Sequence, residues 1–200
     1  MWSRSSVVAL LLLSSLGARA EDRSLERFHA AEPHMGTLFQ ITLYALSAAS
    51  AQAAFEAAFQ RIAELDAVLS DYDPQSELMR VCREAHLGPV RVSEDLFTVL
   101  EAGQKLAVQT DGAFDVTLGP VTRLWREARQ ERRRPDKTEL RQARQRSGYR
   151  KLELNPDERT VFLKAAGMQL DVGGIGKGYA ADEALKTLRS RSFTQALVGG

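Results

Sequence analysis

The sequence contains a single cysteine, Cys82, and only three histidines. A lone cysteine excludes an internal disulfide. Without a second cysteine nearby, dithiol redox chemistry and cysteine-rich zinc sites are excluded as well. His29, His34 and His86 form no HExxH pair, so the spacing gives no support for a zinc hydrolase. Internal repeats and low-complexity linkers are also absent, which leaves an ordinary globular chain.

The chain also lacks an excess of either charge, because the formal net charge of the 200 residues is +1. This balance gives no argument for a nucleic acid or an acidic membrane as partner. The one local excess is the basic cluster "RQERRRPDK", residues 129–137, which lies among acids and helix-forming residues. We interpret it as a solvated face rather than a binding patch. The hydrophobic share of 44% suffices for one core or for part of a larger one.

The only long apolar run lies at the N-terminus. Arg4 precedes the run Val7–Leu13, and the small-x-small triplet Ala18–Ala20 follows it. This pattern predicts a secretory signal peptide, residues 1–20, cleaved after Ala20. The run is too short for a bilayer core of about 30 Å, and no cysteine marks a lipoprotein. We therefore expect an exported, periplasmic protein with no transmembrane segment and with residues 21–200 as its domain.

Alternating and helical periodicities predict the elements of that domain. The stretch "HMGTLFQITLYA" indicates a turn at Met35–Thr37 that leads into a strand. Ser47 or Ser50 can cap a long helix with one apolar stripe, and a second helix begins after Ser93. The apolar stripe of the first helix consists of Phe55, Phe59, Ile62, Leu65 and Leu69.

The second half of the chain has its own start signals. Pro120 opens a short helix, and Asp136 caps a third amphipathic one. The stretch "KLELNPDERTVFLK" predicts a hairpin. We further expect a strand through Leu170, a helix over residues 179–189, and a strand in "TQALVGG". Because that last strand would expose an unpaired edge, we expect the chain to be the N-terminal portion of a longer protein.

The glycine-rich stretch "MQLDVGGIGKGYAAD", residues 168–182, resembles several nucleotide motifs incompletely. It fails the Walker A pattern twice. It fits G-x-G-x-x-A but has no acidic residue about 20 positions later. Lys177 near a helix N-terminus favours phosphate oxygens, and glycine carbonyls can face Mg²⁺. A tight turn with a solvated Lys177 explains the stretch equally well.

Two polar loops carry one aromatic residue each: "LSDYDPQSEL" with Tyr72 and "DGAFDVTLGP" with Phe114. Such residues stack on planar ring systems or act as hydrophobic plugs. The plug interpretation is favoured for Phe114, and the two are equal for Tyr72.

Five segments in order nevertheless resemble the ApbE family of flavin transferases and cover nearly everything after the signal peptide. They are "HMGTLFQI", "LSDYDPQSELMRV", "TDGAFDVTLGPVTRLW", "LDVGGIGKGYAAD" and "QALVGG". The resemblance implies an α+β fold with mixed or antiparallel sheets packed with amphipathic helices, of which this chain is an incomplete domain.

The resemblance also implies an activity. Family members cleave FAD with the help of Mg²⁺, attach FMN to a Thr or Ser of a target protein and release AMP. Targets are typically extracytoplasmic flavin subunits of membrane redox complexes. Since the nucleophile belongs to the target, no catalytic residue is predicted in this chain. Two alternatives remain: an FAD pyrophosphatase that yields FMN and AMP, and a non-catalytic periplasmic FAD-binding protein.

Matching the motifs position by position gives the expected site. Gly174 corresponds to the position whose carbonyl binds the metal, so its side chain is expected to be free to vary. The family's other metal ligands, an Asp and a Thr, correspond to positions beyond Gly200, so we expect the 200-residue chain alone to be inactive. Gly176, Val116 and Cys82 depart from the family's usual residues. The expected FAD-binding residues are Met35, Tyr72, Ala113, Phe114, Asp115, Asp171 and Lys177.

Overall fold

The computed structural model describes residues 24–200 of the chain. The predicted signal peptide therefore lies outside the described residues. In the part that is described, none of the helices combines the length and the apolar character needed to cross a membrane.

One antiparallel sheet begins the fold. Strands β1 (Glu26–His34) and β2 (Thr37–Ala45) form a hairpin, and β6 (Ala196–Gly199) pairs with the other edge of β2. Alternate residues of β2 point to opposite faces, as the pleat of a strand requires. Side chains on its inner face are fully buried, and those on its outer face include Leu38 and Tyr44, which are exposed. The fully buried residues are Phe39, Ile41 and Leu43.

Helix α1 (Ala48–Leu69) packs on this sheet and on helix α6 (Gly176–Ser190). The Ser47 side chain caps α1 by accepting the Ser50 N–H at 3.2 Å. All five residues of the predicted apolar stripe are buried. Each such large side chain contributes roughly 2 kcal/mol when it leaves water, so this face anchors the helix.

A second antiparallel sheet has the order β3-β5-β4. Helix α2 precedes β3 in the chain, α3 lies between β3 and β4, and Val161 and Leu163 of β5 belong to the same buried cluster as α1. The elements are α2 (Glu77–Glu84), β3 (Val90–Arg91), α3 (Glu94–Gln109), β4 (Leu152–Asn155) and β5 (Thr160–Leu163).

Helices α4 (Gly119–Gln130) and α5 (Lys137–Gln145) follow α3 in the chain and precede the hairpin of β4 and β5. The two helices pack against each other. Pro120 lies in the first turn of α4, where its missing N–H costs nothing. Asp136 forms a capping box with Glu139 at the start of α5. A single 3-10 turn, Tyr149–Lys151, leads from α5 into β4.

The predicted α+β class with helix-packed sheets is confirmed, and both sheets of the described chain are antiparallel. The strand predicted through Leu170 is wrong, because this region forms only an isolated parallel bridge between Leu118 and Gln169. Helix α6 begins at Gly176, three residues before the predicted start at Tyr179. Strand β1 and helix α2 were not predicted.

Candidate functional site

The loop after α1 holds Tyr72 outside the core. The Ser70 hydroxyl oxygen accepts the N–H groups of Tyr72 at 3.3 Å and of Asp73 at 3.1 Å. Ser76 closes the loop by donating its hydroxyl to the Ser70 carbonyl at 2.6 Å. The Tyr72 side chain is left 75% exposed. It is therefore not a hydrophobic plug, which was one of the two interpretations that the sequence left equal.

The loop between α3 and α4 places Phe114 and Asp115. Thr110 Oγ1 accepts the Phe114 N–H at 3.1 Å. The Asp115 carboxylate accepts the backbone N–H groups of Thr117 at 2.8 Å and of Tyr149 at 2.9 Å. It also accepts the Thr117 hydroxyl at 2.7 Å. These three hydrogen bonds give Asp115 a structural role in fixing the loop beside Phe114.

The glycine turn before α6 lies against the Phe114 loop. The Asp171 N–H donates to the Val116 carbonyl at 2.8 Å, which ties the two segments together. The Asp171 carboxylate in turn accepts the Gly173 N–H at 2.9 Å. A Cβ atom added at Gly174 would lie 3.0 Å from Cε2 of Phe114. A side chain at position 174 would therefore require the Phe114 ring to shift by a few tenths of an ångström, while the backbone carbonyl of residue 174 would keep its place.

The N-terminus of α6 presents unpaired N–H groups. No side chain caps this helix. The Gly176 N–H donates to the Val172 carbonyl at 2.8 Å, whereas the N–H groups of Lys177 and Gly178 have no acceptor among residues 24–200. Lys177 is exposed as well. Free N–H groups, the positive end of the helix dipole and an ammonium group together favour an anionic ligand.

The turn between β1 and β2 is the fourth segment that lies at the N-terminus of α6. Met35 has a φ of +51°, and its backbone N–H donates to Asp66 Oδ2 at 2.8 Å. This bond helps to hold a conformation that non-glycine residues rarely adopt. A Cβ atom added at Gly176 would lie 3.6 Å from the Met35 methyl group, so the turn contacts the start of α6.

Arg126 of α4 connects the Tyr72 loop to the glycine turn. Its guanidinium forms ion pairs with Asp71 and, at 3.2 Å, with Asp171. It also lies 4.5 Å from the centre of the Tyr72 ring, within cation–π range. Burial opposes the charge of Arg126, but the hydrogen bond to Asp71 and the two aspartate charges outweigh it, so the pKa of Arg126 is raised. No motif or spacing in the sequence pointed to this residue.

The structure thus brings together the loops that carry Tyr72, Phe114 and Gly174, and Met35 joins them through Gly176. Ala113 is exposed next to Phe114 in the same loop. The two carboxylates among the seven expected FAD-binding residues, Asp115 and Asp171, both accept backbone N–H groups, and Asp171 also pairs with Arg126.

The arrangement combines cations, free N–H groups and aromatic rings. Arg126, Lys177 and the α6 N-terminus can neutralise phosphate oxygens, while the exposed Tyr72 ring offers a face to a planar group. Within residues 24–200, no three His, Cys, Asp or Glu side chains cluster as a metal site. The hard oxygen donors of the glycine turn are the Asp171 carboxylate and the Gly174 carbonyl, both of a type that Mg²⁺ accepts.

Comparison with known proteins places this arrangement in a family. The chain is 33% identical over 204 residues to an FAD:protein FMN transferase of Treponema pallidum, a match that covers 98% of this chain and 56% of that protein. It is 29% identical to an FAD:protein FMN transferase of Klebsiella pneumoniae, over 82% of this chain and 51% of the relative. The chain spans about half the length of the curated relatives it matches.

Solved structures agree with the sequence relatives. The flavin transferase ApbE from Vibrio cholerae superposes with a TM-score of 0.79 at 26% identity, covering 88% of this chain and 58% of that one. The ApbE protein of Thermotoga maritima gives a TM-score of 0.76 at 26% identity, with 87% and 56% covered. The profile of the ApbE family matches residues 35–200, from the Met35 turn through the glycine turn to β6. Since the family's pattern extends over every loop of the site, the chain belongs to the ApbE family.

Proposed function

We propose that the protein is an FAD:protein FMN transferase. In this reaction the hydroxyl oxygen of a target Thr or Ser attacks the phosphorus of the FMN half of FAD. A phosphoester bond to the target forms, the pyrophosphate P–O bond breaks, and AMP leaves, while the hydroxyl proton passes to solvent or to a base. Relatives that are 29–33% identical to this chain over the aligned residues bear this name.

The observation that carries the proposal is the meeting of four separate loops around the α6 N-terminus. Arg126 contacts both Tyr72 and Asp171, and Gly174 lies against Phe114. Phosphoryl transfer depends chiefly on positioning and on charge neutralisation rather than on a protein nucleophile. A site with cations and free N–H groups beside an exposed aromatic ring supplies both requirements.

Each side chain has a proposed role in that reaction. Lys177 and the N–H groups of the first α6 turn bind phosphate oxygens. Tyr72 stacks on a ring of FAD, and Phe114 supports the glycine turn from behind. Arg126 holds the Tyr72 ring and sets the distance between the two loops. The acceptor hydroxyl comes from the target protein, so this chain needs to provide only its approach.

Mg²⁺ is part of the proposal. The Gly174 carbonyl would hold the ion together with phosphate oxygens and water, in the manner that Mg²⁺ usually adopts at phosphate sites. Once bound, Mg²⁺ withdraws charge from the pyrophosphate and so makes AMP a better leaving group.

The location is also proposed. Residues 1–20 have the composition of a signal peptide, which supports export to the periplasm. Extracytoplasmic flavin subunits of membrane redox complexes are therefore the expected targets, since their acceptor hydroxyls lie on the same side of the membrane.

The test uses the protein as its gene encodes it, incubated with FAD and MgCl₂ and with a membrane fraction from a strain of the source organism that lacks the gene. We expect a new band with flavin fluorescence after denaturing electrophoresis, together with release of AMP. Free FMN and AMP without a labelled band would instead identify an FAD pyrophosphatase. FAD binding without either product would identify a non-catalytic carrier.

A variant pair links the activity to the site. Tyr72→Ala should weaken FAD binding about three- to tenfold, because a stacking contact is worth about 0.5–1.5 kcal/mol. Tyr44→Ala removes a tyrosine that is 39% exposed on the outer face of β2 and should leave FAD binding unchanged. FAD fluorescence quenching measures both. Equal affinities for the two variants would remove Tyr72 from the proposed site.

A further inference from the structure

The near-neutral charge of the chain conceals a strong segregation. Residues 123–151, which include most of α4 and all of α5, contain twelve Lys and Arg but only four Asp and Glu, a net charge of +8. The other residues of the described range 24–200 contain twelve basic and twenty acidic side chains, a net charge of −8. One edge of the molecule is therefore strongly positive on an otherwise acidic body.

Most of this positive charge is not neutralised within the described chain. Arg123 pairs with Glu127, Arg126 with the two site aspartates, and Arg133 with Glu131 and Glu139. Between residues 129 and 144, six exposed cations have no carboxylate within 4 Å among residues 24–200. We call them the basic surface: Arg129, Arg132, Arg134, Lys137, Arg141 and Arg144.

Three of the six cations occupy one face of α5. Lys137, Arg141 and Arg144 follow one another at spacings of four and three residues, and together with Leu140 and Gln145 they line a depression of about 450 Å³. Like charges at these spacings destabilise an isolated helix by about 0.2–0.5 kcal/mol per pair. Within the described chain no acidic group pairs with these three cations. The repulsion between them therefore favours an anionic partner. The sequence of residues 129–137 alone instead indicates a solvated face.

The basic surface is continuous with the site. Arg126 contacts Tyr72 and Asp171, and Arg129 lies one turn further along the same face of α4. The Arg133 N–H donates to the Ala128 carbonyl at 2.9 Å, so the segment toward α5 folds back on the end of α4. A partner that contacts Arg129 at the end of α4 therefore lies one helical turn from Arg126 at the site.

We propose that the basic surface is the docking site for an acidic face of the protein that receives FMN. This inference rests on the proposed transferase function, because only a macromolecular acceptor has to be held while its hydroxyl enters the site. Opposite charges would steer the acceptor toward the enzyme and raise its rate of association, and salt would screen the effect.

A membrane surface fits the same charge less well. Helices that lie on bilayers combine basic residues with large apolar side chains that enter the acyl region. Between residues 129 and 146 the described chain has no exposed large hydrophobic residue, and within residues 123–151 the one such residue is Trp125 of α4, which is 45% exposed. The basic surface can attract anionic headgroups, but one neighbouring tryptophan is much less than the apolar face of a membrane-bound helix.

The experiment measures binding of a defined acidic probe to the protein as its gene encodes it, saturated with FAD. The probe is a fluorescein-labelled Glu-Ser repeat peptide, and its neutral match is a Gln-Ser repeat of the same length. We expect anisotropy to report binding of the acidic peptide only, with an affinity that falls as NaCl is raised. The double variant Arg141→Glu/Arg144→Glu should reduce that affinity about tenfold or more.

A matched variant controls for net charge. Arg189→Glu/Arg191→Glu makes the same change at exposed positions, roughly 20 Å along α6 from its N-terminus at the site. It should alter peptide affinity less than about twofold. Equal losses in the two double variants would overturn the proposal in favour of a general charge effect. Melting curves confirm that both variants fold.

Three further readouts separate the remaining outcomes. If FAD affinity falls together with peptide affinity in Arg141→Glu/Arg144→Glu, the surface serves the dinucleotide and the proposal is wrong. If the protein sediments with phosphatidylglycerol vesicles through these arginines but ignores the peptide, the partner is a membrane. Failure of the transferase is recognised separately, by absence of AMP release while peptide binding keeps the expected pattern.

Discussion

At the scale of single residues, Arg126 connects parts of the chain that are far apart in sequence. It bridges Asp71 and Asp171, which lie 55 and 45 positions away. The side chains of these two aspartates are only 18% and 13% exposed, and the arginine between them is a counter-charge in contact with both. No spacing rule relates a helical arginine to such distant acids, and this is why the sequence did not reveal it.

We expect Arg126→Met to lower the free energy of unfolding by about 2 kcal/mol, because it leaves two partly buried carboxylates without a counter-charge. FAD affinity should fall about tenfold, since the remaining negative charge opposes phosphate oxygens. Urea unfolding and FAD fluorescence quenching measure the two effects.

Arg123→Met is the control for Arg126→Met. Arg123 lies one turn earlier on α4 and is 62% exposed beside Glu127. An exposed pair of this kind contributes little, so the unfolding free energy should stay within about 0.5 kcal/mol of that of the natural protein. If both variants behave alike, Arg126 is an ordinary surface residue and the bridge has no energetic meaning.

At the scale of secondary-structure elements, the start of α6 joins fold and function. A Cβ atom added at Gly178, in the first turn of the helix, would meet nothing within 4 Å. At Gly119, in the first turn of α4, a Cβ atom would lie 2.6 Å from the Gln169 carbonyl oxygen. Position 178 thus has room for a side chain, whereas packing against Gln169 requires glycine at position 119.

We expect Gly178→Ala to raise the free energy of unfolding by up to about 1 kcal/mol, because alanine favours the helix and restricts the unfolded chain. The same variant should bind FAD several-fold more weakly, since its methyl group stands beside the N–H groups proposed to bind phosphate. Gly119→Ala should instead lose about 2 kcal/mol through the clash. An unchanged FAD affinity of Gly178→Ala would show that the ligand does not approach this turn.

Elements with strong start signals were predictable from the sequence. The caps at Ser47, Ser93 and Asp136 fix the starts of three helices, and each cap hydrogen bond is present. Helix α2 was missed because its eight residues follow turn formers and carry only a short apolar pattern. Strand β1 was missed because most of its side chains are exposed, which leaves no alternation to read.

The strand expected through Leu170 shows a different limit. Met168, Leu170 and Val172 alternate and are all buried, as in a strand. Their backbone nevertheless lies apart from both sheets: the Leu170 N–H donates to the sulfur of Cys82, and the Asp171 N–H donates to Val116. Periodicity reports which side chains are buried, but it does not report which backbone groups are their partners.

At the scale of the whole molecule, the motifs indicated which loops belong to the candidate site. The order of the motifs along the chain did not predict where in the fold these loops come together. Long-range packing brings the loops together, chiefly the contact of α1 with α6. That contact contains a partly buried ionic network. Arg61 of α1 donates to Asp95 of α3 at 2.9 and 2.5 Å and to Glu183 of α6 at 2.8 Å. The Tyr179 hydroxyl donates to Asp95 at 2.7 Å.

This network makes stability depend on pH. The hydrogen bond from Arg61 holds the pKa of Asp95 below its usual range, against the opposing effect of burial. Burial likewise opposes the charge of Glu183, but its hydrogen bonds with Lys186 and Arg61 lower its pKa overall. A carboxyl group whose pKa is lowered on folding contributes stability above its unfolded pKa of about 4, and the contribution disappears as the pH falls through the folded pKa.

We expect Arg61→Gln to lower the free energy of unfolding by about 2 kcal/mol near pH 7, because the Asp95 and Glu183 carboxylates lose a shared counter-charge in a partly buried place. The difference from the natural protein should shrink as the pH falls below about 4, where both carboxyl groups become protonated in either protein. Urea unfolding at several pH values measures this difference in unfolding free energy.

The control is Lys105→Gln, which removes an exposed partner of Glu101. Its unfolding free energy should differ little from that of the natural protein at every pH. A loss in Arg61→Gln that stayed constant down to low pH would mean that the arginine joins the three helices by packing of its stem rather than by its charge.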